Sequence, residues 1–176
     1  RFDELVRLNA DIYIINFGVV DACTREIPRW YFNLNNGMSQ NWYSRISRSV
    51  YGGVIKRIRR PLVFLRMKRS WVNRKAFRRL YSLLVENLLK ETNSKIIGLS
   101  INPANERVER QLPGSRKNQL QYNTIMRDCL DRERCRYLDL SDLDSDKHYP
   151  DGVHYSLEGH VVVATRLMEL IGELRQ

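Results

Sequence analysis

The stretch 149–160, YPDGVHYSLEGH, holds the two residues best suited to acid–base chemistry, Asp151 and His154. An imidazole is the usual general base near neutral pH, and a carboxylate beside it fixes its tautomer and stabilises its cation. Only Gly152 and Val153 separate the two, so a tight turn would bring the carboxylate to the ring Nδ1 and leave Nε2 for a reaction. The alternative is a loop histidine without a chemical role ahead of a helix, where a positive charge is slightly unfavourable.

Three apolar runs predict the strands that would position this pair, at 11–17 (DIYIINF), 95–101 (KIIGLSI) and 135–141 (CRYLDLS). Apolar residues at helical spacing follow each run: Phe77, Leu80, Leu84 and Leu88; Tyr122, Ile125, Met126, Cys129 and Leu130; and Val161, Ala164, Leu167, Met168 and Ile171. Ser156 is the predicted N-cap of the last helix. Strands that alternate with helices predict an α/β fold with a mostly parallel sheet.

Polar side chains follow the carboxyl end of each predicted strand, where ligands bind in open parallel sheets. They are Asp21 after the first strand, Asn102 and Asn105 after the second, and Asp151 and His154 after the third. Because these ends share one edge of the sheet, the sequence predicts that the five residues converge there. Several polar groups at one edge indicate a site more strongly than any one of them.

The net charge of +10 is concentrated in one part of the 176-residue chain. Residues 27–85 carry 14 Lys and Arg and no Asp or Glu, whereas the remainder carries 16 basic and 20 acidic residues. Within this region, 33–70 does not follow the strand–helix alternation and is predicted to be a helical insertion. The segment 45–79 could contact an anionic glycan or a membrane surface. The candidate anion-binding residues are Arg25, Arg57, Arg60 and Arg69.

The opposing interpretation of this insertion is structural, with its aromatic residues in the core and its arginines in water. Nucleic acid ranks last among anionic partners, because no recognition motif accompanies the charge. Cys23, Cys129 and Cys135 are too scattered for a disulfide framework or a zinc site. No run approaches the roughly 20 apolar residues of a membrane span, and no signal peptide is visible. We expect a cytoplasmic protein, with a peripheral membrane location as the alternative.

DGVHYSLEGHVVVATRLMELI (151–171) resembles the C-terminal block of the SGNH (GDSL-type) hydrolases, in which D-x-x-H precedes the last helix. ADIYIINFGVVDA (10–22) resembles their strand ending in G-x-N-D, with Gly18 and Asp21 at the glycine and aspartate. GVVDACTR and PGSRKNQLQYN are similar to a branch associated with bacterial surface-polysaccharide biosynthesis. The resemblance covers about residues 1–25 and 75–176. It implies a flavodoxin-like, three-layer α/β/α sandwich forming a single domain over 1–176.

The same resemblance implies that His154 activates a serine nucleophile and that Asp151 orients His154. The family's oxyanion-binding asparagine corresponds to Val20, which has no donor, so Asn102 and Asn105 are candidate replacements. The family's G-D-S block is absent from the chain. We therefore expect that an N-terminal part of the domain, carrying the serine, precedes Arg1.

The leading hypothesis is an ester hydrolase or acyltransferase acting on an O-acyl ester, with an acylated carbohydrate as the expected substrate class and with no cofactor and no metal. The alternative is an SGNH-like binding protein with impaired catalysis, in which the basic aromatic insertion binds an anionic glycan, a lipid-linked intermediate or a membrane surface. The substitution at Val20 motivates this alternative. Sequence alone leaves the oligomeric state, the acyl group and the acceptor open.

Overall fold

A computed structural model describes residues 2–36 and 42–175 as a mixed α/β chain around a small, open, three-stranded parallel sheet. The strands are β1 (Ile12–Ile15), β2 (Lys95–Leu99) and β3 (Cys135–Leu138), in the order β1-β2-β3. Ile12 pairs with Lys95, and Ile96 pairs with Cys135. All three predicted strands and the parallel arrangement are confirmed, although each strand is shorter than its apolar run.

Ten α-helices and one π-helical turn of the described residues surround the strands. They are α1 (Phe2–Arg7), α2 (Val19–Ala22), α3 (Arg29–Asn36), α4 (Trp42–Val50), a π turn (Tyr51–Ile55), α5 (Arg59–Leu65), α6 (Arg74–Glu91), α7 (Glu106–Gln111), α8 (Ser115–Cys129), α9 (Ser145–His148) and α10 (Leu157–Arg175). Two caps explain where the long α6 and the short α7 begin: Asn73 Oδ1 accepts from the N–H of Ala76, and Asn105 Oδ1 accepts from the N–H of Val108.

Helices pack on both faces of the sheet because successive strand side chains point to opposite sides. Ile96 belongs to a cluster that includes Tyr81 of α6 and Met126 of α8. Its neighbour Ile97 belongs to a second cluster, which includes Val163 of α10. The second strand is therefore covered on both faces, as expected of the central strand of a parallel sheet.

The predicted inner faces of the helices are confirmed for α8 and wrong in part for α6 and α10. All five predicted residues of the α8 stripe are buried. On α6 the buried residues are Phe77, Tyr81, Val85 and Leu88, while Leu80 is exposed. On α10 Val163 and Leu174 are buried, while Val161, Ala164 and Met168 are exposed. Tyr81 and Val163 lay outside the chosen stripes, because several apolar phases are possible on helices so rich in aliphatic residues.

The described part of the expected helical insertion at 33–70 is mostly helical, in α3, α4, the π turn and α5, with turns at 56–58 and 66–68. Residues 37–41, which belong to it, lie outside the described residues. Its aromatic residues do not all enter the core: Trp42 and Phe64 are exposed, as is Trp30 just before it, whereas Phe77 just beyond it is buried. The expectation that the aromatic residues of this basic region are buried is therefore wrong for Trp30, Trp42 and Phe64.

A buried carboxylate connects the insertion to the segment that follows β1. Glu26 has a side chain that is only 4% exposed, and it accepts hydrogen bonds from Tyr51 Oη at 2.7 Å and Arg59 Nε at 3.0 Å. Arg59 also donates to Gln111 of α7 at 2.9 Å. Burial, followed by the hydrogen bond to Glu26, raises the pKa of Tyr51. Hydrogen bonds from Tyr51 and Arg59 therefore attach the C-terminal half of the insertion to the segment after β1 and to α7.

Candidate active site

Asp151 and His154 form a closed hydrogen-bonded turn between α9 and α10. Asp151 Oδ2 lies 2.6 Å from His154 Nδ1, and Asp151 Oδ1 accepts from the backbone N–H groups of Val153 at 2.8 Å and His154 at 2.7 Å. Gly152, between them, has a φ of +81°, and a Cβ there would overlap the side chain of Val108. Glycine is therefore required for both the turn and its approach to α7.

The environment of Asp151 favours its charged form. Its partial burial raises its pKa, but the hydrogen bonds from the His154 ring and from the N–H groups of His154 and Val153 outweigh this effect and bring the pKa to about 2. A carboxylate that remains ionised at neutral pH can hold the imidazole with Nδ1 protonated and Nε2 unprotonated. This is the tautomer that a general base requires.

The neighbouring elements hold the turn from both sides. Asn105 Nδ2 donates to the carbonyl of Pro150 at 3.3 Å, while the Oδ1 of the same side chain caps α7. Ser156 Oγ accepts from Gly159 N at 3.0 Å, which confirms the predicted N-cap of α10, and it donates to Lys147 O at 2.7 Å. Asn105 is thus engaged in positioning the loop and does not line the cleft beside His154.

A cleft of about 360 Å³ opens beside His154, beyond the carboxyl ends of β1 and β2. His154 has a side chain that is 82% exposed. Asn102, which is buried, lines the cleft, and its Oδ1 accepts from Tyr155 Oη at 3.3 Å, which leaves Nδ2 as the donor of this amide. The complete lining is Asn16, Phe17, Val19, Val20, Ser100, Ile101, Asn102, Val153, His154, Tyr155 and His160.

The helix α2, which follows β1, forms the wall of the cleft opposite His154. Gly18 adopts a φ of +113° at the start of α2, and a Cβ there would lie 3.0 Å from Ile101 Cδ1. Val20 lines the cleft with an exposed apolar side chain. Asp21, one position further, is partly exposed and does not line the cleft. Of the five polar residues expected to converge, Asn102 and His154 face this cleft, and Asp151 supports it from behind.

A second cleft, of about 240 Å³, adjoins the first across Val19, Val20 and Val153. Asp151 lines it together with Arg25, Arg59 and Arg107. The guanidinium of Arg25 lies 4.3 Å from the centre of the Trp71 ring, and its Nη2 donates to Val20 O at 2.9 Å. Among the candidate anion-binding residues, Arg25 is thus near the site. Arg57, Arg60 and Arg69 are exposed and line neither cleft.

Tyr155, His160, Arg59 and Arg107 are among the polar residues of the two clefts that were not predicted from the sequence. Tyr155 directly follows His154 and His160 lies six positions after it, and the rings of Tyr155 and His160 meet edge-on at 5.5 Å between centroids. Their position in the YSLEGH stretch was the available signal. Arg59 and Arg107 come from distant parts of the chain, and no local pattern distinguishes them from other arginines.

The serines nearest His154 have structural roles. Ser100 is 2% exposed, and its Oγ accepts from Leu140 N at 2.8 Å. Ser156 caps α10 as described above. Within 2–36 and 42–175, no group of three or more His, Cys, Asp or Glu side chains could hold a metal ion. All three cysteines are free and buried. The same residues contain no helix of the length and apolarity that crossing a membrane requires.

Comparison with known proteins adds no relative. No protein-family model matches the chain, no curated protein matches it, and no solved structure matches it. The fold class is therefore α/β with a small parallel sheet, and any closer assignment rests on the residues themselves.

Proposed function

We propose that this chain supplies the base and its orienting carboxylate to an SGNH-type serine esterase or acyltransferase that acts on an O-acyl ester. The observation that carries the proposal is the 2.6 Å contact between His154 Nδ1 and Asp151 Oδ2 in a turn held at the mouth of a cleft. The helices on both faces of the sheet are compatible with the three-layer sandwich of that family. The resemblance of 10–22 and 151–171 to the sequence blocks of the SGNH family is the support for the serine esterase chemistry in this proposal.

The nucleophile in this proposal is a serine N-terminal to Arg1, because Ser100 and Ser156 are committed to backbone contacts. The serine Oγ attacks the ester carbonyl and its proton moves to His154 Nε2. Collapse of the tetrahedral intermediate breaks the C–O bond of the ester, and the departing alcohol takes that proton. Water or a sugar hydroxyl then attacks the acyl-enzyme, again through His154, and the serine regains its proton.

Asn102 is the proposed oxyanion donor in place of the asparagine that Val20 replaces. It lines the cleft, and Tyr155 occupies its Oδ1, so the amide is oriented with Nδ2 as donor. One such hydrogen bond is worth about 3 kcal/mol in the transition state of hydrolases. An acylated carbohydrate remains the proposed substrate class, and the adjacent arginine-lined cleft would suit an anionic substituent on it.

The test is labelling with a serine-directed fluorophosphonate in the protein that includes the segment before Arg1. We expect one adduct, located before Arg1, and a labelling rate that falls at least about 10³-fold in His154→Ala, because the serine loses its base. His148→Ala changes the same residue type outside the cleft and should label normally. Full labelling of folded His154→Ala, or no adduct on folded wild-type protein, would overturn the proposal.

A further inference from the structure

The segment 42–58 presents an apolar stripe to solvent. Trp42, Ile46, Val50, Val54 and Ile58 follow one another at intervals of four residues, and each is between 43% and 72% exposed. An α-helix has about 3.6 residues per turn, so each interval of four residues advances the side chain by about 40° around the axis. The wider π turn at 51–55 rotates less per residue and offsets part of the drift. Trp42, Ile46, Val50 and Val54 therefore remain near one side of the segment, and Ile58 follows them after a turn at 56–58.

A second side of the same segment, about 100° around the helix axis from the stripe, is attached to the body of the protein through polar groups. Ser47 is buried, and its backbone oxygen accepts from Tyr31 Oη at 3.5 Å. Tyr51 and Arg59 both donate to the buried Glu26. An ordinary surface helix has the reverse arrangement, with its apolar face inward and its polar face in water. The stripe is thus an exposed apolar surface of the described residues.

The positive charge around the stripe indicates which kind of partner would bind to it. Arg45, Arg48, Lys56, Arg57 and Arg60 are exposed in and beside the segment, and no Asp or Glu occurs between positions 27 and 85. A second copy would bring two cationic surfaces together without acidic partners. An anionic bilayer instead offers negative headgroups to the basic residues and an apolar interior to the stripe.

We propose that residues 42–58 lie on the surface of an anionic lipid bilayer. The stripe enters the boundary between headgroups and acyl chains, where the exposed indole of Trp42 is favoured. The arginines and Lys56 contact anionic headgroups. This inference is independent of the proposed esterase activity, since it uses none of the residues of the cleft.

The experiment is co-sedimentation of the chain with vesicles of phosphatidylcholine, with and without phosphatidylglycerol. We expect binding only to the vesicles with phosphatidylglycerol, and weaker binding as NaCl rises from about 50 to about 300 mM. Ile46→Lys is the decisive variant, because it adds positive charge and removes an apolar contact. Insertion of the stripe predicts at least about fivefold weaker binding for this variant, despite its higher charge.

Met168→Lys is the matched control, since it makes the same change of charge at an exposed position of α10, and it should bind as tightly as wild type. His154→Ala should also bind normally, which separates this proposal from the esterase proposal. Three results would overturn it: equal binding to uncharged vesicles, undiminished binding of Ile46→Lys, or no binding by wild-type protein. A dimer that Ile46→Lys dissociates, without vesicle binding, would assign the stripe to a second copy instead.

Discussion

The turn at 151–154 and the helical segment 42–58 use polar groups in opposite ways. In the turn, the Asp151 carboxylate is satisfied by three contacts within four residues, so its geometry is built locally. In the segment, the polar contacts point inward to Glu26, and the apolar residues face solvent. The first arrangement presents one imidazole at a fixed place, whereas the second presents a broad surface. The two proposals therefore place the positioning of a base and the contact with a membrane in separate parts of the chain.

The largest expected effect concerns the base of the turn. A Cβ at Gly159 would overlap the carbonyl oxygen of His148, where α10 begins against α9. Gly159→Ala should lower the free energy of unfolding by about 2 kcal/mol or more, because backbone atoms must move. Gly172→Ala is the control in the same helix. Its Cβ meets nothing within 4 Å, so it should stabilise by up to about 1 kcal/mol.

Urea denaturation followed by circular dichroism measures both glycine variants. Equal effects of the two substitutions would show that the close approach of α10 to His148 does not hold the turn. The contrast between a turn built from local contacts and a segment attached through Glu26 would then fail at the turn.

The second effect concerns the attachment of the segment. Glu26→Gln retains the volume but removes the charge that Arg59 and Tyr51 contact, and it should cost about 1–3 kcal/mol. Hydrogen exchange should accelerate in 42–65 while β2 remains protected. Glu106→Gln, at an 87% exposed side chain, is the control and should change neither quantity. Acceleration spread evenly over the chain would contradict a separate attachment.

The smallest effect is a pH dependence of stability at Asp151. The pKa of this carboxyl is about 2 in the folded protein, below its ordinary value of 3.8. Since the folded pKa is depressed, its stabilisation is complete above about pH 4 and is lost as the pH falls toward 2. Asp151→Asn should therefore flatten the acid limb of a stability profile in that window.

The change at Asp151 should be small, because the carboxylate is 46% exposed and solvent screens its contacts. Asp131→Asn, in an exposed turn, should leave the acid limb unchanged. An acid limb that is identical in wild type and Asp151→Asn would mean that the turn contacts are not maintained in solution.

The sequence allowed prediction of features that depend on neighbouring residues. The three strands, the stripe of α8 and the Ser156 cap follow from local periodicity and capping chemistry, and the structure confirms them. The contact of Asp151 with His154 was a hypothesis based on their spacing, and the structure shows that contact. The structure leaves the catalytic role of this pair as a proposal.

Features that depend on distant partners could not be predicted. Glu26 and Arg59 are separated by 33 positions, and Arg59 and Gln111 by 52. Asn105 looked like a cleft residue in the sequence, but tertiary contact with Pro150 and the start of α7 engage its side chain. The outward orientation of Val50 and Val54 was equally hidden, because a periodic stripe does not reveal which side faces the body of the protein.

The insertion lies between β1 and β2, which pair with each other. This placement affects how much change in the length of the insertion the fold tolerates. Everything from Asn16 to Ser94 forms a single excursion of the chain between β1 and β2. The entropy of closing such a loop grows with the logarithm of its length, about 0.6 kcal/mol for each doubling. Changes in the length of the part before Tyr51, which leave the contacts of Tyr51 and Arg59 with Glu26 in place, would therefore cost the sheet little. That part of the surface can vary in length, while Arg59 continues to line the cleft beside Asp151.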